Sequence, residues 1–366
     1  MKEIQSILEA YTEIDFSKTA AALATVVRVE GSSYRRTGAR MLVLDNGQYL
    51  GGISGGCLEG DALRRAQKAI VADKASVVTY DTTKEDEHQV GVGLGCNGII
   101  DVLFTPIKIN EAINPVTVLS TLPATRVPRV VVSIIGSADG NILGSVVLFE
   151  DEQQFRTSFP IPGISDALIK DIRKSLDAGV SQTVFFEEVA ARIFIEVILP
   201  VTHLVIYGGN YDIYPLARLT RELGWKVTVV TNIGKADKSL FGMVTDVIHN
   251  KSEVQPATDA YSAIMLMAHD YKTDLRNYKL ALASEASYIG LLGPKKRAAK
   301  IYEELSAEGN PVSDKNRSRT FAPAGLDIGA NMPEEIALSI LAEIISNFTG
   351  RSGISLRLRA RNIHED

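Results

Sequence analysis

From residue 203 onward, short apolar runs alternate with amphipathic stretches, and this alternation leaves few folds open. Residues 203–207, 226–231, 263–268 and 288–292 read as strands, and residues 211–223, 273–284 and 333–348 read as helices. Strands separated by helices cannot pair as hairpins, so they lie parallel with both sheet faces covered. The expectation is a Rossmann-like α/β domain, with ligands beyond the carboxyl ends of its strands where the strand order reverses.

The first 200 residues follow a different rule. Residues 20–30, 39–45 and 48–53 read as strands, 58–72 as a helix, and 76–80 and 99–104 as strands again. Residues 106–128 read as a linker. The segment beyond it repeats the first in degenerate form. Val26-Val27, Gly31-Ser32, Asp61-Ala62-Leu63 and Ser76 recur 105 residues downstream as Val131-Val132, Gly136-Ser137, Asp166-Ala167-Leu168 and Ser181. Ile100-Asp101-Val102 answers to Ile195-Glu196-Val197, and Cys57 falls opposite Pro162. The fold class is therefore α/β, with an amino-terminal α+β domain containing an internal repeat and a carboxyl-terminal Rossmann-like domain. The boundaries fall at residues 1–110, 111–200 and 201–350, with a tail at 351–366.

Composition removes several function classes. Thirty-nine basic residues against 44 acidic ones leave a net charge of −5, with no electrostatic footprint for nucleic acid. No apolar run approaches the roughly 20 residues of a membrane helix. Residues 1–14 carry charges among their apolar positions and read as an amphipathic helix rather than a signal peptide, so the expected location is the cytoplasm. Cys57 and Cys96 are the only two cysteines. Two thiols are too few for a disulfide framework or for iron–sulfur ligation.

Three glycine-bearing loops could carry chemistry in the first domain. Gly51-Gly52-Ile53-Ser54-Gly55-Gly56-Cys57 runs straight into a helix, where converging N–H groups make an anion cradle and a thiol at the rim is placed to bond a metal or accept sulfur. A tight turn with a buried cysteine reads equally well from spacing alone. Gly95-Cys96 lies in a second such loop, and Arg35, Arg36 and Arg40 lie in a third, where guanidinium forks suit a phosphate. In the second domain, Gly208-Gly209-Asn210 stands where a dinucleotide fingerprint would, but two of its three glycine positions hold Asn210 and Ile213. Thr231-Asn232 replaces the ribose-binding acid of an NAD site, so NAD(P) binding is not expected. His269-Asp270 closes a strand at the ligand-facing edge, although such a pair is more often structural. Glu334 and Glu335 follow Asn331-Met332-Pro333 and suit helix capping.

Several separated motifs together resemble the XdhC/CoxI family. They are Glu30-Gly31-Ser32-Ser33 with Gly38-Ala39-Arg40-Met41, Gly55-Gly56-Cys57-Leu58-Glu59-Gly60, and Gly93-Leu94-Gly95-Cys96 with Ile100-Asp101-Val102. Ala268-His269-Asp270, Tyr288-Ile289-Gly290-Leu291-Leu292-Gly293 and Gly325-Leu326-Asp327-Ile328-Gly329-Ala330 continue the likeness. The resemblance implies an accessory factor rather than the dehydrogenase itself. Such a factor binds the molybdenum cofactor (molybdopterin), supports its sulfuration with a cysteine desulfurase, and passes it to an apoenzyme such as xanthine dehydrogenase. It also implies a homodimer. Carried over position by position, Ser54, Gly55, Gly56, Cys57, Gly95 and Cys96, with Arg35 and Arg40, become the cofactor contacts, and Cys57 and Cys96 the candidate metal ligands. Gly208, Gly209, Asn210, His269 and Asp270 form a second candidate crevice. The alternatives are an NAD(P)-linked oxidoreductase using His269 as proton carrier, and an interaction module.

Overall fold

A computed structural model describes residues 1–83, 98–111, 113–122 and 125–360. The chain parts after Pro200 into two units, each with its own core. The first begins with α1 (Lys2–Glu13), followed by β1 (Ala21–Gly31), β2 (Arg40–Leu44), β3 (Tyr49–Gly51), α2 (Glu59–Ala72), β4 (Ser76–Asp81) and β5 (Gly98–Pro106). These five strands form one antiparallel sheet in the order β3-β2-β1-β5-β4. Next come α3 (Pro115–Ser120), β6 (Arg129–Gly136), β7 (Val146–Phe149), α4 (Glu152–Ser158), α5 (Ser165–Ala178), β8 (Gln182–Phe186) and β9 (Ala191–Ile198). Their four strands form a second antiparallel sheet, β7-β6-β9-β8.

Leaving out β3, the two sheets have the same order and place the same helix between their two strand pairs, as the repeat requires. Gly31 and Gly136 end β1 and β6, and Asp61 and Asp166 occupy the first turns of α2 and α5. Period-two alternation gives each sheet two apolar faces. Ala22, Ala24, Met41 and Phe104 pack on Ala62 and Ala66 of α2, while Val132, Ile193 and Ile195 pack on Phe155, Leu168 and Ile172 of α4 and α5. The opposite faces meet each other through Val27, Leu103, Ile135 and Phe194.

The stretch expected as a linker contains a helix. Asn114 accepts hydrogen bonds from the N–H groups of Val116 (2.9 Å) and Thr117 (3.0 Å), and Pro115 takes the first helical position, where its missing N–H costs nothing. Val116 and Leu119 then join Ile4 and Ile7 of α1 in one core. Asn114-Pro115 is the signal for this helix in the sequence.

The second unit contains β10 (His203–Gly208), α6 (Ile213–Glu222), β11 (Lys226–Thr231), β12 (Asp246–His249), β13 (Ser262–Met267), α7 (Tyr271–Leu282), β14 (Tyr288–Leu291), α8 (Lys295–Ala307), α9 (Asp314–Ser318), β15 (Thr320–Phe321) and α10 (Pro333–Thr349). All six strands are parallel, in the order β12-β11-β10-β13-β14-β15. The strand order reverses between β10 and β13. Strands buried on both faces explain the continuous apolar runs: every residue of β10 and of β13 is buried. Helices α6 and α10 cover one face, and α7 and α8 the other. Among the described residues no helix is long and apolar enough to cross a membrane.

Candidate functional sites

In the first unit the chain leaves β3 at Gly51, whose φ of +84° is left-handed; a Cβ there would lie 2.4 Å from the Arg40 carbonyl oxygen. The following loop is organised by Ser54. Its Oγ accepts from the N–H groups of Gly56 (3.3 Å), Cys57 (3.1 Å) and Leu58 (3.0 Å), and its hydroxyl donates to Glu59 Oε2 at 2.5 Å. The Ser54 N–H donates to the other Glu59 oxygen at 2.8 Å. The converging N–H groups that the sequence offers to an anion are therefore already closed on a side chain of the loop itself. Burial pushes the Glu59 carboxyl up, but the hydrogen bonds from Ser54 outweigh it and hold the group below the usual carboxylate range.

This hydrogen-bonded knot makes a prediction. Ser54→Ala removes the acceptor of three N–H groups at the start of α2 and should lower unfolding stability by about 1 kcal/mol, measured in urea. Because the Glu59 value is depressed in the folded state, its contribution is present above the unfolded carboxylate range and fades as pH falls through the folded value. Glu59→Gln should remove that acid-side loss.

Cys57 is an exposed, free thiol at the end of the loop. Beside it, Gly56 has a left-handed φ of +111° and, among the described residues, open space where a Cβ would stand, while the exposed ring of Tyr34 lies over Gly55, 3.2 Å from a Cβ there. The Oγ of Ser33, next to Tyr34, is buried without a partner among the described residues. Gly95 and Cys96 lie outside the described residues. Among the described residues no group of three or more His, Cys, Asp or Glu side chains is gathered as a metal site.

The arginines correct the sequence reading. Arg40 is only 4% exposed, and its guanidinium pairs with Glu196 and donates to the Gly38 carbonyl at 2.7 Å. Arg35 pairs with Glu3, which also accepts the Arg40 N–H at 2.8 Å. Both forks serve carboxylates from other elements of the unit, a pairing that sequence distance hides, and Arg40 leaves the set of ligand contacts.

In the second unit Gly208-Gly209-Asn210 ends β10 and His269-Asp270 ends β13, on the two sides of the point where strand order reverses. A Cβ at Gly208 would stand 2.6 Å from the Met267 carbonyl oxygen, and one at Gly209 2.2 Å from Thr231 Oγ1, so the packing of this chain itself demands both glycines. His269 has a φ of +60°, a conformation that non-glycine residues adopt at a cost. Its Nε2 lies 2.6 Å from Oδ2 of Asp212, the residue preceding α6. Asp270 has a capping role: it accepts the Thr273 N–H at 2.8 Å at the start of α7, and the Thr273 hydroxyl and N–H hold its carboxyl below the usual range. Asp274, fully buried one turn later, accepts the Ala268 N–H (3.1 Å) and pairs with Arg297 (2.9 Å). Burial pushes the Asp274 carboxyl up, with the Ala268 N–H and the charge of Arg297 pulling it back only in part. Glu335 caps α10 through the N–H groups of Asn331 and Met332, while Glu334 lies 3.8 Å from Arg218. Sequence reasoning missed Asp212 and Asp274. Asp212 stands four residues past Gly208, and Asp274 one helical turn past Asp270; spacing alone did not single out either.

The XdhC Rossmann domain matches residues 204–344, and the XdhC and CoxI family matches residues 17–81. A probable xanthine dehydrogenase subunit of Bacillus subtilis (strain 168) is 31% identical over 350 residues, covering 94% of this chain and 97% of its own. The chain belongs to the XdhC and CoxI family. The molybdenum cofactor insertion chaperone PaoD of Escherichia coli (strain K12) is 25% identical, across 93% of this chain and 88% of its own. A crystal structure of a xanthine dehydrogenase from Bacillus halodurans shares the fold with a TM-score of 0.74 and 27% identity, covering 96% of this chain and 97% of that one. The XdhC and CoxI match takes in Tyr34, Ser54, Cys57 and Glu59, and the XdhC Rossmann match takes in Asp212 and His269. Both candidate sites therefore fall within the matched family segments.

Proposed function

We propose that this chain is an accessory factor that holds the molybdenum cofactor, molybdopterin, on behalf of a molybdenum hydroxylase such as xanthine dehydrogenase. The observation that carries the reading is the exposed Cys57 thiol at the rim of a glycine loop, with open space beside Gly56. The names of the relatives in Bacillus subtilis and Escherichia coli support it. The residues fit such a group. A thiol suits a soft metal centre, the Tyr34 ring offers a flat apolar surface to a heterocycle, and the Ser33 Oγ, unpartnered among the described residues, is a polar atom wanting a partner. Bound there, the cofactor supplies the metal and the pterin. The protein's share is to hold them through Cys57, Gly55, Gly56 and Tyr34, on a loop fixed by Ser54 and Glu59.

Support of sulfuration with a cysteine desulfurase, delivery to the apoenzyme, action as a homodimer and a cytoplasmic location complete the proposal. The competing NAD(P)-linked oxidoreductase loses ground on a specific observation. The glycines at β10 are filled by Met267 and Thr231, and the carboxylate of Asp212 stands at the start of α6, where a pyrophosphate would need positive potential.

Anaerobic incubation with the cofactor, followed by gel filtration and quantification of molybdenum and pterin, tests the proposal. Wild type should retain the cofactor stoichiometrically and Cys57→Ala should lose it. Since Cys57 is exposed, the substitution should change stability by no more than about 0.5 kcal/mol, so the loss reports the site. Equal retention by the two proteins, or retention by neither, would overturn the reading.

A further inference from the structure

The second unit holds a site that the cofactor reading of the first unit does not use. Asp212 is 8% exposed, yet its Oδ1 is buried without a hydrogen-bond partner among the described residues. Buried carboxylate oxygens are almost always satisfied, so an orphaned one marks a place where a donor belongs. The other oxygen holds His269 Nε2 at 2.6 Å. When Nε2 carries the proton, Nδ1 is left as a lone-pair acceptor. The pair thus presents two acceptors: Asp212 Oδ1, which is buried, and the imidazole of a half-exposed His269.

Its position is the one a parallel sheet reserves for ligands. Asp212 follows β10 and His269 follows β13, neighbours at the reversal of strand order. Supporting residues fix it there: Asp274 accepts the Ala268 N–H immediately before His269 and is itself paired with Arg297. The conformation of His269, left-handed at φ +60°, is held rather than relaxed. A negative carboxylate at the head of α6 does not suit a phosphate.

We propose that the Asp212–His269 pair is a binding site for a small heterocyclic or sugar-bearing ligand that donates hydrogen bonds from neutral O–H or N–H groups, and not for a pyrophosphate. A ribose diol and the amino edge of a purine or pterin share this chemistry.

The test titrates the whole chain, ring-labelled at histidine, with adenosine, pterin and ADP, following the His269 imidazole by NMR. Adenosine or pterin should shift the His269 signals saturably, with free ribose and free adenine then telling sugar diol from heterocyclic edge, and ADP should bind no more tightly than adenosine. In Asp212→Asn the amide can present oxygen to only one side. Either the ligand-facing acceptor becomes a donor or His269 changes tautomer, so affinity should fall at least tenfold. His269→Gln, at a half-exposed position and with adenosine affinity read by calorimetry because the imidazole probe is gone, should fall likewise and keeps the test open if Asp212→Asn does not fold. Absence of any shift with adenosine and pterin, tenfold tighter binding of ADP, or wild-type affinity in a folded variant of the pair would overturn the proposal.

Discussion

Glu196→Ala should cost about 3–5 kcal/mol of unfolding stability, a large share of what a unit of this size possesses. Glu196 on β9 and Arg40 at the start of β2 come from the two different sheets of the first unit and are 5% and 4% exposed. Without the carboxylate, the guanidinium keeps, among the described residues, only the Gly38 carbonyl in a place that water does not reach. The arrangement leaves little room for relaxation, because a Cβ on Gly38 would already stand 2.6 Å from Glu196 Oε1. The desolvation cost of the two charges is met only while they face each other. Glu196→Leu combined with Arg40→Met should therefore recover most of the loss, and urea unfolding of the wild type, the single variants Glu196→Leu and Arg40→Met, and the double variant gives the coupling directly. A single-variant cost below about 1 kcal/mol would mean that the pair behaves as a surface salt bridge.

That ion pair also shows where the sequence stops being readable. The alternation after His203 and the 105-residue offset between Gly31 and Gly136 announce the parallel sheet and the repeated α+β unit, because both are written in the order of residues along the chain. Arg40 looks the same in sequence whether it faces a phosphate or Glu196, 156 residues away, and only the packing of one sheet on the other decides. The same limit applies to β12, β15, α8 and α9, whose patterns are too short or too charged to stand out. At the candidate sites, Cys57 and His269 were legible from glycine context and strand ends. Their partners were not. The Ser54–Glu59 knot replaces the expected anion cradle by local geometry, and Asp212 becomes visible only when β10 and β13 are placed side by side.

Several glycine-bearing segments of the XdhC Rossmann match turn out to be packing devices, and Tyr288 joins two of them. It is fully buried at the start of β14, stacks on Phe321 with ring centroids 4.4 Å apart, and donates its hydroxyl to Glu343 Oε2 of α10 at 2.6 Å. The same carboxylate oxygen accepts the N–H of Gly325, whose φ of +108° and close approach to Ser339 tie the Gly325–Gly329 loop to α10. Gly290, two residues on, leaves room for Met265 and for the Tyr288 ring itself, 2.2 Å and 2.8 Å from a Cβ. Tyr288→Ala should therefore act twice, opening a cavity beneath β15 and leaving Glu343 short of a donor. The expected loss is about 3–5 kcal/mol, against about 1 kcal/mol for Tyr288→Phe, which keeps the stacking and removes only the hydroxyl. Thermal unfolding of the pair separates the two contributions. Equal losses would assign the effect to the hydroxyl and its hold on the Gly325 loop, whereas a near-neutral Phe variant with a severe Ala variant would assign it to ring packing between β14, β15 and α10.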